Sequence, residues 1–402
     1  MKAGRALPSP PAKGSLPKAP SLSSMRKHLL VLGIAITLLT ACARQENDAN
    51  APIRIGYIGP LTGDAVSFGV DTVNGAKTAV EEINAKGGIN GRQVSLIAED
   101  SRCNGTDAAS AAQKLINIDQ VVAIIGGQCS SETLGAASIA EAASVVMISP
   151  VSSSPDITHA GDFVFRVYPS DALKGQALAN YFAKEGYKNI AVISENTDFC
   201  IGVHDSLMHA LKPGMSFAFN EIVEPGTKDY RTLFTRLKGQ TFDVFLTNGQ
   251  SDTTVAAMVT QFREAGLTQP IIGTDTADSV TLGQIAKDAV EGLRALSVPS
   301  LSESDPKSGP FIQAFRKKHG EPQVGFFFAS LAYEATRLLL DIMRTAGTSG
   351  PTIRDALYHH PGFNSIVGTL TFDKNGDIRG IPFALKEFKN GTLTEVERIP
   401  IN

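Results

Sequence analysis

The chain has 402 residues, with 37 Lys plus Arg against 40 Asp plus Glu and a formal net charge of −3. At 43% hydrophobic and 19% charged, it is not a disordered chain, which needs high charge and few apolar residues. Nor is it a polyanion binder, which needs a basic excess. The length exceeds what one hydrophobic core organises, so two domains are expected.

Residues 1–24 are rich in Pro, Ser and Ala and offer nothing to build a core. Met25-Arg26-Lys27-His28 opens a basic stretch, and Leu29 to Leu39 is an almost unbroken apolar run ending in Leu39-Thr40-Ala41-Cys42. A basic segment, a short apolar segment and small residues before a cut describe a secretory signal over 1–41, too short to span a bilayer. Met25 is the better start, which makes 1–24 an extension of the true chain. The Leu-Thr-Ala-Cys ending resembles the bacterial lipobox and implies cleavage before Cys42 and acylation of its sulfur. Residues 42–52 then read as a polar tether. No later apolar run is long enough to cross a membrane, so the expectation is an exported protein at the periplasm or outer cell face. It would meet the membrane through its lipid anchor only.

Export permits disulfides. Cys103 and Cys129 each follow a strand, and neighbouring strand ends of one parallel sheet bring Cα atoms within bridging reach, which favours a Cys103–Cys129 bond. Cys200 is then a buried free thiol.

Apolar strands and amphipathic helices alternate along the rest of the chain. Strands are expected at 53–59, 94–98, 121–125 and 145–149, with helices at 72–86, 106–118 and 130–143 between them. A second series places strands at 163–167, 190–194, 217–223, 244–247 and 271–273. Its helices are at 171–185, 201–211, 230–237 and 253–265. A connecting strand at 292–300, helices at 310–319 and 325–345, and strands at 368–372 and 383–388 complete the pattern, with a hairpin-type turn at Asn375-Gly376. This is an α/β chain of parallel, doubly wound sheets. Ligands in such sheets sit outside the carboxyl ends of strands, where this sequence has Thr62-Gly63, Gln128 to Ser131, Val151 to Ser154, Asn248 to Ser251 and Thr274 to Thr276.

Several stretches match one family together. They are Gly59-Pro60-Leu61-Thr62-Gly63, Ile83 to Gly91, Ile125 to Ser131, Pro150 to Pro155, Lys228-Asp229-Tyr230 and Gly368 to Phe372. From 53 to about 390 the chain resembles the periplasmic binding proteins for leucine, isoleucine and valine, the substrate-binding subunits of ABC importers. The resemblance implies two Rossmann-like lobes (the type I fold) joined by three crossing strands, with the ligand cleft between them. Lobe 1 would be 53–168 and 301–372, and lobe 2 would be 169–300 and 373–402. It implies an α-carboxylate held by Ser130 and Ser153, and an α-ammonium held by the Val151 carbonyl and Asp275. The side-chain pocket would be Phe68, Phe199, Gln250 and Phe326. Asp275 stands where the family often has Glu, and Phe68, Phe199 and Gln250 stand where it has Tyr.

Elementary chemistry agrees with that clamp. A zwitterion needs donors at one end and an acid at the other. Ser130 opens a helix, where free N–H groups and the dipole favour a carboxylate. Each residue also has a plainer reading: Ser130 as an N-cap, Ser152–Ser154 as a turn, Asp275 as a cap for the helix after it, and Phe326-Phe327-Phe328 as core.

Other chemistry is not supported. There is no phosphate loop and no Gly-x-Ser-x-Gly elbow. The histidines lack zinc spacing, and Asp373 to Asp377 fails the calcium-loop pattern because its Gly is one position early and its twelfth position is Ala384. The expectation is therefore a non-enzymatic, monomeric receptor without metal, cofactor or nucleic acid. It would deliver a free amino acid, branched-chain or other aliphatic, to a permease. One rival is the same fold binding a short amide, urea or an aromatic acid. A hydrolase using the Ser-rich loop lacks a placed base. A receptor ectodomain would need a C-terminal membrane span, and none precedes Asn402.

Overall fold

The computed structural model describes Gly14 and residues 51–399. Apart from Gly14, the signal-like stretch lies outside the described residues, as do Cys42 and the tether up to Asn50. Among the described residues no helix is long and apolar enough to cross a membrane.

The chain opens with β1 (Ile53–Gly59), α1 (Val66–Ala85), β2 (Val94–Asp100), α2 (Gly105–Asn117), β3 (Ala123–Ile125), α3 (Ser130–Ala143), β4 (Val146–Ser149) and β5 (Val164–Arg166). The second series is α4 (Asp171–Glu185), β6 (Asn189–Glu195), α5 (Asp198–Ala210), β7 (Ser216–Val223), α6 (Arg231–Leu237), β8 (Val244–Asn248), α7 (Asp252–Glu264), β9 (Ile271–Gly273), α8 (Val280–Ala286) and β10 (Arg294–Ser297). It closes with α9 (Gly309–His319), α10 (Phe326–Ala346), α11 (Gly350–Tyr358), β11 (Phe363–Ser365), β12 (Gly368–Phe372), β13 (Ile378–Arg379), β14 (Phe383–Lys389) and β15 (Thr392–Ile399).

Strands β2-β1-β3-β4-β5 form one all-parallel sheet. A second sheet runs β15-β14-β10-β9-β8-β6-β7, parallel except for β14 and β15 at one edge. A small antiparallel sheet joins β11, β12 and β13. Both large sheets are covered on both faces over their central strands, which is why those strands read as continuous apolar runs. Ile55, Tyr57 and Ile148 face one core of the first sheet, and Ile58, Ile124 and Met147 face the other. In the second sheet Ile193 and Phe245 point to one core while Val192 and Leu246 point to the opposite one.

The late helices return to the first sheet. Leu331, Leu338 and Leu339 of α10 share a core with Val73, Ala76 and Val80 of α1. Gly75 permits this: a Cβ there would run into the Ala329 carbonyl. The chain passes between the two large sheets three times, after β5, after β10 and after β13. Arg166, fully buried at the first passage, donates to Asp377 (2.7 Å) near the third.

Two departures from the sequence pattern have physical causes. Helix α1 starts at Val66 instead of 72, because its first turns are buried through polar contacts that an apolar periodicity does not register. Asp71 accepts from the N–H groups of Gln323 (2.9 Å) and Val324 (2.8 Å), and Ser67 donates to Asp252 (3.0 Å). Helices α8 and α11 and strands β11, β13 and β15 were not anticipated, and the turn at Asn375-Gly376 joins β12 to β13, while 383–388 falls in β14 of the second sheet. The two helices are short, and β15 is a half-exposed edge strand.

The Cys103–Cys129 disulfide is present, and Cys200 is a buried free cysteine. The bond joins the loops after β2 and β3 across 26 residues, and chain-entropy arguments put its worth at ~3 kcal/mol. Replacing both cysteines with serine should lower the unfolding free energy by that order in a denaturant titration while leaving the circular dichroism spectrum unchanged.

Candidate functional site

In the first sheet the connections reverse direction between β1 and β3, and in the second between β6 and β8. Open α/β sheets bind ligands at such switch points, beyond the strand carboxyl ends. Here these ends converge on one chamber of about 40 Å³. From the first sheet it is lined by Ala65, Phe68, Gln128, Cys129, Ser130, Val151, Ser152 and Ser153. Phe199, Gln250, Asp275 and Thr276 come from the second sheet, and Phe328 from α10. The chamber shares Ala65 and Gln250 with a larger groove of about 1230 Å³.

Ser130 begins α3 and is buried. Its Oγ accepts from the N–H groups of Ser153 (3.2 Å) and Ser154 (3.1 Å), which fixes the two strand-end loops against each other. Ser152 is spent on structure: its hydroxyl donates to the Gly127 carbonyl (2.9 Å) and pairs with Thr133 (2.7 Å). Ser153 lines the chamber beside it and is tied to the start of α4, its carbonyl accepting from the Asp171 N–H (2.8 Å) and its hydroxyl bonding the Asp171 carboxylate. Gly126, at φ +143, keeps the loop after β3 tight, since any Cβ there would meet the Ile58 backbone. Arg166 holds the far side of the Ser153 loop by donating to the Ser154 carbonyl (2.7 Å). This wall of hydroxyls and N–H groups at a helix start suits an anionic end.

Asp275 follows β9 on the opposite wall and is the one charged residue among those described as lining the chamber. It is not alone behind that wall. Tyr168 donates its hydroxyl to one carboxylate oxygen, and the Lys174 ammonium binds the other. Lys174 also pairs with Asp171 (2.6 Å), and all three charged groups are buried. Burial works against the lysine's charge, but the two carboxylates outweigh it and raise its affinity for the proton. Burial, followed by the charge of Asp275, pushes the Tyr168 hydroxyl well up, so it stays a donor. The ammonium also lies 5.1 Å from the Phe199 ring centroid, within cation–π range.

Seven of the eight positions singled out in the sequence line this chamber together: Phe68, Ser130, Val151, Ser153, Phe199, Gln250 and Asp275. Phe326 does not. Two residues along a helix turn the side chain by roughly 200°, so Phe326 packs on Phe315 (5.8 Å between centroids) while Phe328 meets Phe68 (5.1 Å) at the chamber. Gln250 contributes its place in the wall, and its N–H is held by Glu195 (2.6 Å). Sequence reasoning put Gln128 at a strand end but gave it no part in the pocket; its buried Oε1 has no hydrogen-bond partner. It missed the Tyr168–Asp171–Lys174 group. The signal for Lys174 was there: it stands three residues after Asp171 and four before Leu178, on a helix face that is otherwise apolar.

The sequence from 52 to 384 matches the family model for periplasmic binding proteins. The leucine-, isoleucine-, valine-, threonine- and alanine-binding protein of Pseudomonas aeruginosa is 32% identical over 353 residues, covering 86% of this chain and 92% of that protein. The structure of the branched-chain amino acid transporter substrate-binding protein LivJ from Streptococcus pneumoniae, in complex with isoleucine, superimposes with a TM-score of 0.80 at 27% identity. The match covers 87% of this chain and 99% of that one. A solute-binding protein of an ABC transporter from R. palustris, in complex with benzoate, shares the fold at a TM-score of 0.76 and 17% identity, with 87% and 97% coverage.

Beside the chamber, Glu132 accepts from the N–H groups of Cys129 (2.8 Å) and Cys103 (3.0 Å) and from the Ser101 hydroxyl, bracing the same loops as the disulfide. Burial pushes its carboxyl up to about 7 against the pull of those donors, from an ordinary value of 4.5. The folded chain then holds more protons than the unfolded chain between these values, so this group's contribution to stability falls as pH rises from about 4.5 through 7. Glu132→Gln should flatten that part of the stability–pH profile measured by urea denaturation.

Proposed function

Because the chain belongs to the periplasmic binding protein family, we propose that it is an extracytoplasmic solute-binding lipoprotein of an ABC importer. It takes up a free aliphatic amino acid, branched-chain foremost, and hands it to the permease without any covalent step. The observation that carries this reading is the division of one buried chamber into two unlike ends. Ser130 and Ser153 offer donors at a helix start on one wall, and Asp275 offers a carboxylate on the other. A zwitterion matches both ends at once, with the carboxylate on the hydroxyl wall and the ammonium on the acid and the Val151 carbonyl. Phe68, Phe199 and Phe328 leave an apolar space for the side chain.

The relatives fit this reading. The P. aeruginosa protein is named for binding leucine, isoleucine, valine, threonine and alanine, and the S. pneumoniae structure holds isoleucine. A chamber of about 40 Å³ has room for roughly three water molecules. Entry of an amino acid therefore requires the strand ends of the two sheets to part. We read the first sheet with α9 to α11 as one lobe and the second sheet as the other, hinged at the three passages between them. Export by the 1–41 signal, a lipid on Cys42 and a monomeric receptor complete the proposal.

One observation favours a second reading. Lys174 already pairs with Asp275, which suits a ligand with a carboxylate and no ammonium, such as an aromatic acid. A thermal-shift panel on purified protein separates the two. The chain has no Trp, so dye binding or circular dichroism serves as the probe. Leucine, isoleucine or valine at ~1,000 times its dissociation constant should add about 4 kcal/mol of stability, while benzoate and 4-methylpentanoate should add little. Asp275→Asn should weaken the amino acid at least ~100-fold, about 2.7 kcal/mol, with the melting curve of the unliganded protein still cooperative. A shift with benzoate alone would overturn the amino-acid reading.

A further inference from the structure

The chamber's charge is set behind its wall. Asp275 is the charged lining residue among those described, but it is tied through Lys174 to Asp171, and none of the three can share its charge with water. Burial pushes the Asp171 carboxyl up and the Lys174 charge pulls it down; with both carboxylates ionised, two acids and one ammonium leave the group at −1. The sum is that of this group alone; the nearby buried acids Glu132 and Glu195 are held by N–H and hydroxyl donors and make no ion pair with it. Asp278 is paired with Lys386, and Arg166 with Asp377. Glu195 is occupied by the N–H groups of Gly226 (3.1 Å) and Gln250 and lines the larger groove, not the chamber.

We propose that Lys174 is a specificity-determining residue that fixes the Asp171–Lys174–Asp275 group at −1 and so makes the chamber select a ligand bearing one ammonium group. The inference rests on the amino-acid reading and adds what that reading lacks, a rule for the ligand's charge. A ligand with one ammonium brings the buried group to zero. A ligand without one leaves a buried −1, and a ligand with two leaves +1. A buried net charge is costly in either sign. Lys174 acts through Asp275, with no place on the chamber wall itself, so its effect should appear as a choice among ligands of different charge.

The test is a charge series measured by isothermal titration calorimetry on the unaltered chain, Asp171→Asn, Lys174→Met and the double variant carrying both. Their groups sum to −1, 0, −2 and −1. Three probes are used: leucine, 4-methylpentanoate (leucine without its amine) and 2,4-diaminobutyrate, which carries a second ammonium. Affinity ratios are compared between variants, so differences in side-chain fit cancel. Asp171→Asn should move the preference from leucine towards 4-methylpentanoate, and Lys174→Met should move it towards 2,4-diaminobutyrate, each by at least about tenfold. The double variant should return to the preference of the unaltered chain. Failure of the double variant to return, or single-variant ratios unchanged within about threefold, would overturn the charge rule and leave Lys174 a packing residue. If Lys174→Met does not fold with two unpaired acids, Asp171→Asn and the double variant still decide the matter. The leucine to 4-methylpentanoate ratio of the unaltered chain tests the amino-acid reading by itself. The movement of that ratio across the series tests the charge rule, so the two can fail separately.

Discussion

A parallel sheet covered on both faces has nowhere to put polar groups except at its ends, and that constraint organises this protein. The central strands of the two large sheets contribute apolar side chains to a core on either side, as Ile124 and Ile125 do for the first sheet and Val192 and Ile193 for the second. The hydroxyls, amides and charges gather beyond the carboxyl ends of the strands, where helix starts supply unpaired N–H groups. Two such ends face each other here. The chamber is what remains between them, and its chemistry follows from which loop each sheet sends there.

The two walls meet the cost of burying polar groups differently. On the first, neutral groups satisfy one another: Ser130 with the N–H groups of Ser153 and Ser154, and Ser152 with Gly127 and Thr133. Every loop contact there is braced, by the disulfide, by Glu132 and by Arg166. On the second wall the polar groups are ionic. Lys174 sits between two acids, and Tyr168 remains a hydroxyl donor because burial and the charge of Asp275 keep it protonated. One wall is thus held by neutral hydrogen bonds and the other by ion pairs.

The sheet pattern was legible in the sequence because parallel strands buried on both faces leave long apolar runs. Helices α3 and α4 were readable to the residue, because Ser130 and Asp171 stand at clear polar-to-apolar boundaries. The chamber was legible through the strand-end rule and a family likeness, which together placed seven of eight side chains on its wall. The remainder was hidden for identifiable reasons. The choice between Phe326 and Phe328 depends on the phase of one helix, which three consecutive phenylalanines leave undetermined. The early start of α1 depends on Asp71 and Ser67, whose partners at 323–324 and 252 are distant in sequence. The helical spacing of Lys174 from Asp171 was visible, but its tie to the chamber was not, because Asp275 is 101 residues away and on another element.

The packing of α10 on α1 through Gly75 and Ala329 bears on the order in which the chain can become a protein. The first sheet is made entirely from residues before 167, yet the helices that complete one of its cores come from residues after 309. A chain emerging from its amino terminus therefore carries that sheet with an apolar face uncovered until most of the polypeptide has appeared. Contacts of such long sequence separation slow folding, because loop closure costs entropy before the contact can repay it. The amino-terminal half is thus the first part synthesised and among the last to be finished, and its stability belongs to a segment more than two hundred residues downstream.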